Sequence, residues 1–301
     1  MCSNLREYVF MQLLIVGCGY LGQRLATRCQ QAGHTVQAMT RSAERAEVFR
    51  ARGWQPIVAD ICEPATLSHL PEVDAVVFAV GYDRTSGRTQ QEVYVQGLAH
   101  ILERVAGRCH RFIYISSSSV YGQQAGEWVD EDSVCEPTQT GGQCCLSAEQ
   151  QVEAKLSGSR TQGVVLRLSG IYGPGRLLSR IESLRNGEPL TGSPASWLNL
   201  IHVDDAVSMC QKVLQDPPRR AVYLVSDDAP VPRGVYYQRL AELVGAPQPV
   251  FDESQPARRG AGGLNKRCSN RRMRDEWQLT LEYPSYREGL AHALGDASKS
   301  A

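Results

Sequence analysis

No two of the ten cysteines stand in CxxC spacing, and Cys144 and Cys145 are direct neighbours. Neither a zinc centre nor the framework of a small disulfide-stapled domain is written here, so no metal is expected and a reducing cytoplasm is the simplest home. Charge of one sign is missing as well: 32 Lys+Arg against 32 Asp+Glu give a formal net charge of +0. No global field recruits nucleic acid or an anionic membrane, and any basic site must be local. No stretch reaches the roughly 18 consecutive apolar residues of a membrane span. The run Tyr8–Val16 is nearly apolar, and Ile15-Val16-Gly17-Cys18 has the look of a lipidated-cysteine signal. Its charges cancel at Arg6 and Glu7, Gln12 interrupts it, and it continues as Gly19-Tyr20-Leu21-Gly22, a pattern with a better use; Met11 is an alternative start. What is present is ordinary globular composition, 42% hydrophobic and 21% charged over 301 residues, enough for one large domain or two small ones.

Strand and helix patterns alternate through the first half. Apolar runs at 13–16, 35–39, 56–59, 75–80, 111–116 and 164–168 read as six strands. Helical spacing falls at 21–31, 43–52, 90–106 and 146–156. Such alternation implies an α/β fold, a doubly wound parallel sheet of Rossmann type. Beyond residue 170 the texture turns Gly/Pro-rich, as in Tyr172-Gly173-Pro174-Gly175, with helices near 203–214 and 235–244. The expected division is a Rossmann domain at 12–170, with returns to the sheet near 198–226. A smaller C-terminal substrate lobe takes 171–197 and 227–294, leaving tails at 1–11 and 295–301.

Gly17-Cys18-Gly19-Tyr20-Leu21-Gly22 has the GxGxxG pattern between an apolar strand and a helix. There the glycines permit a tight turn and close approach of a diphosphate to the helix N-terminus, although a tight turn with no ligand would use the same residues. The second strand ends Ala38-Met39-Thr40-Arg41, with no acid to hold a ribose 2′-OH. A guanidinium in that place favours a 2′-phosphate, which points to NADP over NAD, unless Arg41 simply lies in water. Asp60, after the third strand, could reach an adenine edge or cap the segment that leads to Pro64.

Four stretches together resemble the extended short-chain dehydrogenases/reductases of the NAD(P)-dependent epimerase/dehydratase family. They are the glycine loop, the run Arg111–Gly122 with its four serines, Val165–Arg176, and Ile201-His202-Val203-Asp204-Asp205-Ala206. The tail, Asn265–Asn270 and Tyr283–Gly289, is similar to the atypical YeeZ-like branch, and the likeness runs from about residue 12 to 294. The resemblance implies that the dinucleotide meets Gly17, Gly19, Tyr20, Leu21 and Gly22. It also implies contacts at Arg41, at Asp60 and Ile61, at Val80 and Gly81, and at Ser116. It implies a catalytic serine at Ser117, whose hydroxyl would polarise a substrate oxygen. A serine-rich turn that caps backbone groups would look the same.

The family's proton-transfer pair, YxxxK, has no counterpart. Gly141 falls near the tyrosine place and Cys145 near the lysine place, and no Tyr or Lys lies between Tyr121 and Lys155. The helix asparagine is absent from Gln91–Gly97 as well. Tyr121, Tyr172, Asp83, His202, Cys144 and Cys145 are the conceivable replacements, each with an alternative as a packing or loop-anchoring residue. Arg258, Arg259, Lys266, Arg267, Arg271, Arg272 and Arg274 gather without an acid among them, which suggests a substrate phosphate clamp or a solvated Arg face. Tyr172, His202 and Arg267 are the substrate-side candidates. The resulting expectation is an NADP-dependent oxidoreductase or epimerase acting on a sugar-like or nucleotide-linked small molecule, with no nucleic acid and no membrane partner; a homodimer is admitted. The rival is a non-catalytic NADP-binding redox sensor or interaction module.

Overall fold

Four residues in a row, Leu13–Val16, are wholly buried, which only a strand covered on both faces can satisfy. The structure, a computed structural model, describes residues 10–176, 178–254 and 264–295. Seven strands form the main parallel sheet: β1 (Gln12–Val16), β2 (Thr35–Thr40), β3 (Gln55–Val58), β4 (Ala75–Phe78), β5 (Arg111–Ser117), β6 (Gln162–Leu168) and β7 (Val222–Val225). Their order is β3-β2-β1-β4-β5-β6-β7, so the winding reverses between β1 and β4, the place where open α/β sheets take ligands. The expected doubly wound Rossmann-type fold is thus present.

Two compact units divide the chain, one from its start to Ile115 together with Ala148–Val164, the other from Ser116 to Ser147 and from Val165 onward. The change of texture at residue 170 is not where they part. The segment after β5 sends a short strand, Glu127–Val129, to pair in parallel with Lys266–Cys268, and so belongs with the C-terminal half.

In the first unit, α1 (Tyr20–Gln31) buries Leu21, Leu25, Ala26 and Cys29, one stripe at helical spacing. It stops at Gly33, whose φ of +87° lies in the left-handed region. Ser42 caps α2 (Ala43–Ala51), its Oγ accepting the Arg45 N–H at 3.1 Å. The helix predicted at 90–106 opens with one π turn, Glu92–Gln96, and continues as α3 (Gly97–Val105).

Helix α4 (Thr140–Leu156) starts at Thr140, earlier than the predicted Leu146. The second unit continues with α5 (Leu178–Arg185), α6 (Val203–Gln215), α7 (Arg233–Val244), α8 (Arg271–Trp277) and α9 (Tyr286–Gly295). Tyr172, Tyr236, Tyr237, Leu240, Tyr286 and Leu290 belong to its own buried cluster. Of the returns to the main sheet expected within 198–226, around 199–203 and 222–225, Val222–Val225 makes one, as β7. The other, Leu200–His202, pairs instead with Gly170–Tyr172 in a separate two-stranded ladder, because the register His202↔Tyr172 seats both rings against α9. At the sheet's end, β7 turns the Leu224 N–H outward to Glu131 Oε1 at 2.7 Å, while the Val222 carbonyl accepts from Arg272. Among the described residues no helix is long and apolar enough to cross a membrane.

Candidate functional site

The three glycines of the loop after β1 have different jobs. Gly17 sits at φ +90°, and a Cβ there would stand 2.5 Å from Val80 N, because the loop after β4 comes directly against it. A Cβ at Gly22 would lie 2.7 Å from Gly17 O and 3.2 Å from Ile15 Cγ2, so this glycine lets α1 settle on β1. Gly19 is different: a Cβ there meets nothing within 4 Å, and no side chain caps the helix that starts beside it. Packing does not require a glycine at 19. The open cradle at a helix N-terminus fits a diphosphate, so the residues present suit a dinucleotide. Tyr20 opens the helix under the Arg24 guanidinium, 4.1 Å from its ring centroid, and Leu21 is buried. Cys18 is 3% exposed, inside the loop rather than where a lipid-bearing thiol would have to stand, and burial pushes its thiol up to about 12.

At the tip of β2, Arg41 is half exposed and pairs with Asp83 at 3.3 Å. Arg45, which sequence reasoning missed, reaches back from the first turn of α2 to donate to Cys18 O at 3.0 Å. Its only sequence signal is its place three residues after the capping Ser42. Asp60 spends one oxygen on the Cys62 N–H at 2.8 Å, the capping alternative. Ile61 is buried under α3, where a Cβ at Gly97 would stand 2.6 Å from Ile61 Cδ1. A Cβ at Gly81, like one at Gly19, would meet nothing within 4 Å. Asp83 is no replacement acid. The Thr85 hydroxyl and N–H and the Arg41 guanidinium hold its carboxyl below the usual range, so it is ionised at neutral pH.

In the second unit, Ser116 is 5% exposed and Ser117 stands at the end of β5. Ser117 Oγ accepts the Ser119 N–H at 3.1 Å, which caps the short 3₁₀ turn Ser118–Val120 and leaves the hydroxyl's own hydrogen to donate. Capping and catalysis are therefore compatible at this residue. The turn is fixed from two sides. A Cβ at Gly142 would overlap the Ser119 carbonyl oxygen, which is why a glycine stands at 142 in the first turn of α4. From the other side, Lys266 Nζ donates to Tyr121 O at 2.9 Å. Lys266 is 4% exposed, and burial pushes its ammonium below the usual range.

Most of the proposed substitutes for the missing pair are core groups. Tyr121 is wholly buried, its hydroxyl accepting from Arg167 at 2.8 Å, and desolvation drives its phenol upward. Tyr172 is 1% exposed, donates to Ser285 O at 3.2 Å and packs on Gly289. Cys144 and Cys145 are both buried, the first with its thiol raised by desolvation, the second in a cluster with Tyr121, Leu224 and Cys268. A thiolate is the reactive form, and burial opposes it.

His202 is wholly buried and caps α6, its Nδ1 accepting the Asp204 N–H at 3.2 Å. Its Nε2 lies 3.2 Å from His292 Nδ1, and with Asp204 these two form the one His/carboxylate group that brings possible metal ligands together among the described residues. The donor chemistry is wrong for a cation. A ring whose Nδ1 accepts an N–H carries its proton on Nε2, and releasing that proton to a metal would leave an imidazolate. Asp205 anchors the following segment by accepting the Glu282 and Tyr283 N–H groups at 2.8 and 3.0 Å.

The basic patch dissolves on inspection of its partners. Arg271 pairs with Asp275, Arg272 with Glu131 and Asp132, and Arg274 with Asp228. Arg258 and Arg259 lie outside the described residues. Arg267 alone of the described members is both partly exposed and without a carboxylate partner.

A Rossmann-type sheet with an open glycine cradle at its switch point defines a dinucleotide-binding protein, and a serine turn closing the fifth strand is the pattern of the short-chain dehydrogenases/reductases. The chain belongs to the NAD dependent epimerase/dehydratase family, whose model matches residues 13–225, and within it to the extended, YeeZ-like members. It is 27% identical to Protein YeeZ of Escherichia coli (strain K12) over 282 residues, 91% of this chain and 96% of that protein. It is 28% identical over 310 residues to the 3-diazoavenalumate denitrifying reductase of a Streptomyces species, 93% of this chain and 99% of that one. A solved structure of a functionally unknown conserved protein from Silicibacter pomeroyi superposes with a TM-score of 0.77 at 29% identity, covering 95% of this chain and 99% of the other.

Proposed function

We propose that the chain is an NADP(H)-dependent oxidoreductase or epimerase of a small molecule, with Ser117 as the hydroxyl that polarises a substrate oxygen. When bound, a nicotinamide dinucleotide would supply hydride-transfer chemistry. The residues that would hold it are the Gly17–Gly22 loop, the Val80–Gly81 backbone and the tip of β2. One observation carries the NADP preference: Arg41 stands at that tip and Arg45 follows in the first turn of α2, its guanidinium on the Cys18 carbonyl, and no carboxylate occupies the chain position of a 2′-OH acceptor. The Arg41–Asp83 pair does not oppose this, since both side chains are about half exposed and such pairs contribute little. A charge-assisted contact of about 1–3 kcal/mol corresponds to roughly 5- to 150-fold tighter binding of NADPH than NADH. Calorimetric titration of both nucleotides on wild type, Arg41→Ala and Arg45→Ala tests it. Equal affinities in wild type, or a preference that neither variant erodes, would overturn the assignment.

A second reading, a non-catalytic dinucleotide binder, rests on the first turn of α4, which carries Gly141 near the family's tyrosine place and, beside it, Gly142 pressed on the Ser119 carbonyl. NADPH oxidation over a carbonyl panel, lost in Ser117→Ala with nucleotide affinity intact, supports the enzyme. Silence of the wild type with NADPH bound supports the binder.

A further inference from the structure

Arg267 lies on the short strand Lys266–Cys268, paired in parallel with Glu127–Val129. Its Cζ stands over the Trp128 ring at 5.0 Å and over the Trp197 ring at 5.1 Å from the centroids. Its Nε donates to Gly126 O at 2.8 Å, which fixes the plane of the guanidinium. Gly126 itself sits at φ +82°, its N–H on Asn265 O at 2.7 Å, and a Cβ there would press on Trp197 Nε1 at 3.3 Å. A left-handed glycine thus lets the carbonyl reach Arg267 beside the indole. The neighbouring arginines of the patch are each neutralised by a carboxylate, and this one is not. Trp128 is 56% exposed, and it is the exposed tryptophan among the described residues.

A guanidinium stacked on indoles, with Nε satisfied, keeps the Nη edge for in-plane bonds to an oxyanion. A large exposed ring beside it is a surface that a planar group can cover. We propose that Arg267 and Trp128 form a substrate-recognition site for a planar ring that carries an oxyanion, phosphate or carboxylate. The oxyanion takes the Arg267 Nη edge and the ring lies on Trp128. This names the substrate class for the second unit, and it rests on the reading of the chain as an enzyme acting on a small molecule.

The shared chemistry has two sources, a nucleotide and an aromatic acid, so the test uses uridine monophosphate and 4-hydroxycinnamate, with uridine and inorganic phosphate as controls. Tryptophan fluorescence is titrated with each probe on the full chain, and NADPH affinity is measured on the same samples. Saturable binding of one of the two ring-bearing anions is expected, with uridine and phosphate at least tenfold weaker than the nucleotide if that is the one bound. Arg267→Lys, which keeps a cation over the rings but loses the planar fork, and Trp128→Ala should each weaken the bound probe about tenfold or more without changing NADPH affinity. If neither ring-bearing anion binds, or if Arg267→Lys and Trp128→Ala leave the affinity unchanged, the proposal is overturned. Phosphate binding as tightly as the nucleotide would also remove Trp128 from the site. A wild-type protein that binds NADPH but neither ring-bearing anion refutes this site alone, whereas a wild type that holds the probe but not NADPH refutes the cofactor reading alone.

Discussion

Replacing Gly17 by alanine puts a Cβ 2.5 Å from the backbone nitrogen of Val80, at a φ of +90°. A left-handed conformation costs a non-glycine residue about 1–2 kcal/mol, and forcing extra carbon into packed backbone about 1–3 more. The sum, roughly 2–5 kcal/mol, corresponds to a Tm fall on the order of 5–15 °C for a chain of this size. Gly19→Val should do the reverse. Its Cβ meets nothing within 4 Å, so packing does not oppose the side chain and its Tm should fall less than that of Gly17→Ala. The branched carbon would occupy the space of the diphosphate and displace charge-assisted bonds of about 1.5–3 kcal/mol each. Two such bonds amount to a loss of NADPH affinity on the order of 10²- to 10⁴-fold. Thermal melts and NADPH fluorescence titrations on both variants read the two effects separately. A Gly19→Val protein that binds NADPH like wild type would refute the cradle, and a Gly17→Ala protein with an unchanged Tm would refute the account of the loop.

Asp227 is 1% exposed, its Oδ1 accepts only the Ala229 N–H at 3.2 Å, and burial pushes its carboxyl up to about 8. With the folded pKa raised, its contribution to stability is complete below about pH 4 and lost as pH rises through about 8, a change of roughly 3–6 kcal/mol. Asp227→Asn should flatten that decline in urea unfolding measured at pH 5 and pH 8; an unaltered slope would count against the burial argument. Cys144 and Cys145, buried in α4, should resist iodoacetamide in the native protein and label only on unfolding, as mass spectrometry of the modified peptides would record. Rapid native labelling would reopen thiol chemistry.

The glycine loop was legible because its pattern is local: strand, three glycines at fixed spacing, helix. The start of α4 was not, since Gly141-Gly142 reads as a loop by propensity, and the contact that demands a glycine, with Ser119 O, comes from a distant segment. The basic patch misled for the same reason. The Arg272–Asp132 pair spans 140 positions in sequence, so the patch looked uncompensated until the partners were in view. Arg45 was invisible because its meaning lies in the Cys18 carbonyl, 27 positions away. For Ser117, Tyr121 and Tyr172 the residue types were informative, but only burial separated a hydroxyl able to donate from two phenols sealed in the core.

The clasp at β7 has a bearing on how copies of this chain can meet. A terminal strand ordinarily offers its outward N–H and C=O groups to any passing strand. Here the outward N–H of Leu224 is already answered by Glu131, and the outward C=O of Val222 by Arg272, which in turn holds Glu131 and Asp132. A newcomer strand would have to evict an ion pair before it could form its first hydrogen bond. Fusion of two sheets into one continuous sheet across this border is therefore disfavoured, and self-association that respects the clasp must be built from side chains on another face.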